Sequence, residues 1–303
     1  MFLMSDRWIA PAPMLAQIAR RLAAALAPPA QDYVPLLVQD RVVGWITPQR
    51  AHRLAGWPKV FHVSAARVEC AAELATPASR TAAFAAVART LAEENALTTW
   101  RDERYGVYGR PDEAPLFEIE RAAARYFGVH TFAAHANGVV AEKKGWLMWL
   151  ARRSPTKPID PGLLDNLVGG GVAAGTTPAE TLVKEAWEEA GIDAGAARAA
   201  HLAGDVHICR DQPDGLQHET TYVHDLWLPS DFVPVNQDGE AVQHRLCAPD
   251  DVLAVLTTDD ITADASLVIV DFLIRHGNLP AHDPSLATLE GLRHRSTSLA
   301  LPG

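Results

Sequence analysis

Cysteine is scarce. The 303 residues carry three, Cys70, Cys209 and Cys247, set far apart and without CxxC or Cys/His spacing. That excludes a disulfide framework and a clustered zinc site and leaves buried free thiols as the expectation. Long apolar runs are also missing, since no window approaches the ~18 consecutive apolar residues of a membrane-spanning helix. The opening MFLMSDRWIA sets an acid and a base where a secretory leader needs an apolar stretch, so the expected compartment is the cytoplasm. Positive charge is in deficit, with 27 Lys and Arg against 37 Asp and Glu and a formal net charge of −10. The deficit lies in one half: residues 1–130 hold 15 basic and 13 acidic side chains, residues 131–303 hold 12 and 24. An acidic second half argues against a nucleic-acid polymer as partner and is compatible with a carboxylate cluster for divalent cations, a solvated surface being the bland alternative.

What is present is ordinary globular material, 48% hydrophobic, with enough length for two domains. Leu15, Ile18, Leu22 and Leu26 recur at helical spacing behind Pro11 and Pro13, predicting an amphipathic helix closed by Pro28-Pro29. The β-rich runs 33–38 and 41–46, joined by Gln39-Asp40, read as a hairpin. The Ala-rich segment 77–97 reads as a helix, and 116–129 (LFEIERAAARYFGV) as another that begins there and ends at Gly128. No nucleotide loop or catalytic constellation occurs in this α+β first half. From residue 129 the pattern changes to strand-like runs at 130–140, 146–153, 202–209, 220–228 and 241–247, then a buried helix over 264–277 with a Gly stop. The polar, Pro-rich remainder reads as a surface tail. The expected division is therefore 1–128, 129–280 and a C-terminal tail 281–303.

The chemistry concentrates in GGGVAAGTTPAETLVKEAWEEAGI, residues 169–192. Thr177-Pro178-Ala179-Glu180 is a capping box with Pro at the first helical position, and Gly191 supplies the stop, so a helix is expected over about 178–190. Glu185, Glu188 and Glu189 then share one helical face within a turn. Three like charges repel unless a cation neutralises them or the face is fully solvated. Hard oxygen donors suit Mg²⁺ or Mn²⁺, and magnesium leaves positions for water and phosphate oxygens. The triple glycine before the helix lets backbone approach a ligand closely, although glycine clusters are also simply flexible.

Residues 170–192 resemble the Nudix box, G-x5-E-x7-R-E-U-x-E-E-x-G-U with U aliphatic, through Gly170, Glu185, Glu188, Glu189, Gly191 and Ile192. Thr176 stands at the first glutamate of the motif, Lys184 at its arginine and Ala186 at its first aliphatic position. The resemblance implies an α/β/α Nudix sandwich after the α+β first domain. It also implies metal ligation and catalysis by Glu185, Glu188 and Glu189, with the Gly170 carbonyl as a further ligand. The implied reaction is metal-dependent attack of water on a diphosphate linkage. One of the three glutamates could take the proton, or a carboxylate from a later loop or strand, for which Glu219 and Glu240 are candidates.

Residues 146–171 and 271–277 are similar to a narrower two-part group whose arrangement also occurs ahead of fungal thiamine pyrophosphokinases. That implies thiamine diphosphate or its oxidised derivatives as substrate, cleaved to monophosphate and phosphate. Arg152 and Arg153 are candidate phosphate donors, and Trp187 and Glu219 further candidates for the substrate site. Trp146, Trp149, Tyr222 and Trp227 could offer ring walls, and His135 and Asn137 could reach a ligand. Competing expectations are hydrolysis of ADP-ribose, a dinucleotide or a nucleotide sugar, or a Nudix module that binds a diphosphate without cleaving it. The expected partner is a small-molecule diphosphate, not a membrane. The first domain is left with three roles, as a lid, a specificity element or a homodimer surface.

Overall fold

The computed structural model describes residues 8–97, 100–110, 112–143 and 145–294. Its first helix is α1 (Ala12–Ala25), followed by strands β1 (Val34–Val38) and β2 (Arg41–Ile46), helix α2 (Pro48–Leu54), strands β3 (Phe61–Val63) and β4 (Val68–Cys70) and helix α3 (Pro77–Glu93). Strands β5 (Arg104–Val107) and β6 (Phe117–Glu120) form a separate antiparallel pair. The expected hairpin forms: β1 and β2 pair antiparallel, and Gln39 and Asp40 take φ of 52° and 60°, the left-handed values a tight hairpin turn requires. The four-stranded sheet runs β2-β1-β4-β3. Its core is aromatic, with Phe84 meeting Phe61, Phe117 and Phe127 at ring-centroid distances of 5.2, 4.2 and 5.3 Å.

The second half builds β7 (Thr131–Glu142), β8 (Gly145–Arg153), β9 (Leu164–Asn166), β10 (Val168–Gly171), α4 (Pro178–Ala190), α5 (Ala194–Arg198), β11 (His201–Gln212) and β12 (Gly215–Leu228). It closes with β13 (Ala241–Cys247), α6 (Pro249–Leu256), α7 (Ala263–Arg275) and α8 (Pro284–Arg293). The main sheet runs β11-β12-β7-β8-β13, with β10 paired to β7 and β9 to β8. One face packs Leu182, Ala186 and Ala190 of α4 on Ala134, Ala136 and Val140 of β7. The other face carries Val139, Met148, Val206 and Val223 under α6, α7 and α8. Helices on both faces make the second half an α/β/α sandwich, and the whole chain is α+β.

Three sequence expectations differ from the structure. Residues 116–129 do not begin as a helix: Phe117 and Ile119 alternate inward along β6, and Glu120 then accepts from the Ala122 and Arg101 amides, so the helix-favouring ERAAA run gives only a 3₁₀ turn, Arg121–Ala123. The supposed tail contains α8, which buries Leu289 and Leu292; residues 295–303, like 1–7, lie outside the described residues. Helix α1, expected with the first domain, shares the core of the second: Leu15, Ile18 and Leu22 are fully buried among α6, α7 and α8, and Arg21 donates to the Ile261 carbonyl at 2.7 Å. No helix among the described residues is long and apolar enough to cross a membrane.

Candidate active site

The glycine strand and α4 are positioned by local chemistry. The Thr177 hydroxyl accepts the Glu180 amide at 3.2 Å, while the Glu180 carboxylate accepts the Thr177 amide at 2.8 Å, closing the capping box. Gly191 ends the helix at φ 66°. In the connecting loop the Thr176 hydroxyl donates to the Ala173 carbonyl at 2.8 Å, so the residue that departs from the box motif still ties the loop. The Ala174 amide donates to the Arg104 carbonyl of β5 at 2.8 Å, which anchors the same loop to the first domain.

This frame brings two of the predicted carboxylates onto the glycine strand. A Cβ added to Gly170 would stand 2.5 Å from both Cγ and Cδ of Glu185, so only glycine leaves room for that side chain. Glu189 is buried, and its Oε2 accepts the Gly169 amide at 2.9 Å. Lys184 bridges the other pair, donating to Glu185 at 3.0 Å and to Glu188 at 2.5 Å. Lys157 lies 3.9 Å from Glu189 and is ion-paired to Glu240.

Burial pushes the Glu185 carboxyl above the usual carboxylate range; Lys184 opposes this, and Glu188 and Glu240 add to it. Burial raises Glu189 further, against Lys157 and the Gly169 amide. A buried and a part-buried carboxylate a turn apart, countered by two lysine ammonium groups and the Gly169 amide, favour an added cation, and the donor set is hard oxygen. The residues therefore fit a divalent metal, which Glu185, Glu188 and Glu189 could hold. Among the described residues, the trio of potential ligands whose donor atoms already lie within 4.8 Å of one another is Asp205, His207 and His294. Both ring nitrogens of His207 are already engaged, Nε2 with Asp205 at 2.7 Å and Nδ1 with the Thr220 hydroxyl at 3.0 Å.

Beside the glycine strand opens a cleft of about 130 Å³. The second domain lines it with Gly169–Gly171, His135, Lys157, Glu219, Glu240 and Asp264, and the first domain with Arg101, Tyr105, Arg121 and Arg125. Gly171 has no side chain because the Tyr105 hydroxyl occupies the space a Cβ would need. Glu219 accepts from the Thr131 hydroxyl at 3.1 Å; burial and then Asp264 raise its pKa, opposed by Arg125 and His135. Both later candidates for the base, Glu219 on β12 and Glu240 just before β13, thus line the cleft.

Other predicted residues are placed elsewhere or already engaged. Arg152 makes a bidentate pair with Asp260 at 2.6 and 2.8 Å and a third bond to the Gly162 carbonyl, so its donor fork is used internally. Arg153 borders the cleft, but its nitrogens are held by Asp165 and by the carbonyls of Asp160 and Ile159. Trp187 is 53% exposed and is not among the cleft's lining residues. Trp146 and Trp149 are buried in the cores on opposite sheet faces, Tyr222 stacks on Phe132, and Trp227 is exposed beside His276. Asn137 is buried between Asp225 and Asn166. The first-domain arginines and Lys157 had no local sequence signal: no motif surrounds them, and only long-range packing brings them to the cleft.

Residues 131–267 match the model of the NUDIX domain, and residues 14–131 match a domain of unknown function, DUF4743. The chain is 34% identical over 278 residues to Nudix hydrolase 20, chloroplastic, of Arabidopsis thaliana, an alignment covering 88% of this chain and 74% of that protein. It is 35% identical over 261 residues to Nudix hydrolase 24, chloroplastic, of the same plant, covering 85% and 72%. Among solved structures, the DR0079 protein of Deinococcus radiodurans aligns with 56% of this chain and 98% of its own, at 23% identity and a TM-score of 0.42. The chain belongs to the Nudix hydrolase family. It is a two-part member, a Nudix pyrophosphohydrolase whose catalytic sandwich follows a DUF4743 domain.

Proposed function

We propose that this protein hydrolyses the diphosphate linkage of a small molecule at the cleft beside Gly169–Gly171. The observation that carries the reading is the seating of Glu185 and Glu189 on that glycine strand, next to a cleft lined by charges of both signs. A divalent metal, Mg²⁺ or Mn²⁺, would supply Lewis-acid polarisation of the phosphoryl oxygens and a more acidic water. Glu185, Glu188 and Glu189 would hold it, with the Gly170 carbonyl as the further ligand implied by the box. Glu219 is the proposed proton acceptor: it faces the cleft, and the rise of its pKa with burial makes its carboxylate a stronger base. His135, fixed by Asn166 at 2.9 Å, would orient an oxygen of the substrate.

The substrate proposed first is thiamine diphosphate or an oxidised derivative, cleaved to the monophosphate and phosphate. Its support is the similarity of 146–171 and 271–277 to the group that also precedes fungal thiamine pyrophosphokinases. The tryptophans expected as ring walls give it none, since they lie in the cores or on the outer surface. The test is a panel of thiamine diphosphate, oxothiamine diphosphate, ADP-ribose and NADH with Mg²⁺ or Mn²⁺, with products identified. Selective release of phosphate from the thiamine compounds is expected. Cleavage of ADP-ribose or NADH alone would discard thiamine, and no cleavage of any compound would leave a diphosphate-binding module.

A further inference from the structure

The cleft is a two-domain construction. Tyr105 of β5 fills the space over Gly171, the Ala174 amide of the box loop is bonded to Arg104, and the Leu216 amide at the start of β12 is bonded to the Arg125 carbonyl at 3.0 Å. These contacts hold the first domain's β5–β6 pair and the turn after it against the glycine strand. They also set three arginines, Arg101, Arg121 and Arg125, in the lining of a cleft that Glu219 and Asp264 line as well.

The opposed charges do not close on each other. No hydrogen bond or ion pair joins Arg101, Arg121 or Arg125 to Glu219 or Asp264 in the described residues. Arg121 is instead paired to Glu103 at 2.6 Å and lies over the Tyr105 ring, and Arg125 meets Asp214 at 3.4 Å. Arg101 differs from both. Its amide is fixed by Glu120 at 2.9 Å, and, in a residue that is half-buried overall, its guanidinium has no acid or carbonyl partner among the described residues. An unpaired guanidinium on a fixed backbone is a strong donor for phosphate oxygens. With about 130 Å³, the cleft has room for several water-sized groups, enough for a phosphate.

We propose that the DUF4743 domain supplies the phosphate-binding wall of the Nudix active site. Arg101 is the anchor for the terminal phosphate of a monosubstituted diphosphate, and Arg121 and Arg125 add positive potential behind it. This rests on the diphosphatase reading and names its substrate class: a compound with a free terminal phosphate is favoured over one substituted at both ends. The first domain is then a specificity element.

The experiment compares the full-length wild type with Arg101→Gln and Arg101→Lys. Turnover of thiamine diphosphate and ADP-ribose is measured with Mg²⁺, and binding of inorganic pyrophosphate by calorimetry in metal-free buffer. Arg101→Gln is expected to weaken pyrophosphate binding about tenfold or more, the size of a charge-assisted hydrogen bond. It should raise the KM for thiamine diphosphate similarly while kcat stays within about twofold, and Arg101→Lys should recover part of the loss. Arg125→Gln, a second probe should Arg101→Gln fold poorly, is expected to show a smaller loss in the same direction. Unchanged pyrophosphate affinity in folded Arg101→Gln and Arg125→Gln, judged by melting temperature, would overturn the proposal. Preference for ADP-ribose in the wild type would overturn the substrate class. Absence of any turnover would remove the diphosphatase reading, and the pyrophosphate titration would still decide whether the arginine wall exists.

Discussion

Gly170→Ala should separate stability from activity. The added methyl would stand 2.5 Å from Cγ and Cδ of Glu185, well inside van der Waals contact, so the carboxylate must move. Gly170 lies in a strand without a positive φ, so alanine is not strained by its own backbone. Overpacking typically costs about 1–3 kcal/mol, and a clash with a flexible side chain belongs at the low end, about 1 kcal/mol. For a chain of this size that lowers Tm by about 2 °C. Displacing Glu185 by about 1 Å disturbs the carboxylate proposed to hold the metal, and misplacement on that scale costs about 100-fold in rate. The assay is phosphate release under saturating Mg²⁺ beside a thermal melt. Turnover equal to wild type in a folded Gly170→Ala protein would refute the claim that this glycine exists to seat Glu185.

Glu219→Gln should remove the base: kcat falls by about 10²–10⁴-fold, and the rise of rate with pH through the elevated Glu219 pKa disappears from the profile. Asp225 is buried, which pushes its pKa up, but hydrogen bonds from His276, Arg275 and Asn137 outweigh burial and hold it well below the usual range. A depressed folded-state pKa means its contribution is complete above the unfolded value of about 3.9 and is lost as pH falls toward the folded one. Asp225→Asn, which leaves Arg275 without its bidentate partner, should cost about 3–5 kcal/mol at pH 7, with the gap to wild type narrowing below about pH 4 in denaturant titrations. A gap constant with pH would count against the assigned pair. Leu289→Ala should cost about 2–5 kcal/mol, since α8 packs into the sandwich core; a change under about 0.5 kcal/mol would restore the surface-tail expectation.

Local signals were legible wherever a short stretch decides its own conformation. The Gln39-Asp40 hairpin, the Thr177/Glu180 capping box, the Gly191 stop and the α7 helix all form as their residues predict. The three box glutamates likewise fall on one helix, beside the glycine strand. What the sequence concealed depends on partners distant in the chain. FEIE reads as the start of a helix until β5 pairs with it, and α1 reads as part of the first domain until α6, α7 and α8 cover its leucines. Arg152 looks free until Asp260, more than a hundred residues later, takes both of its terminal nitrogens. Arg101 is the opposite case: nothing around it in sequence marks it, and its place in the cleft follows from packing of one domain on the other.

In the proposed reaction the box carboxylates hold a divalent metal for diphosphate hydrolysis. This is tested most directly by phosphate release from thiamine diphosphate in the wild type and in Glu185→Gln, each with Mg²⁺ and with excess chelator. Turnover should be abolished by chelator and restored by Mg²⁺, and reduced by about 10–100-fold in a folded Glu185→Gln protein. Chelator-resistant turnover, or a Glu185→Gln protein as fast as wild type, would contradict it.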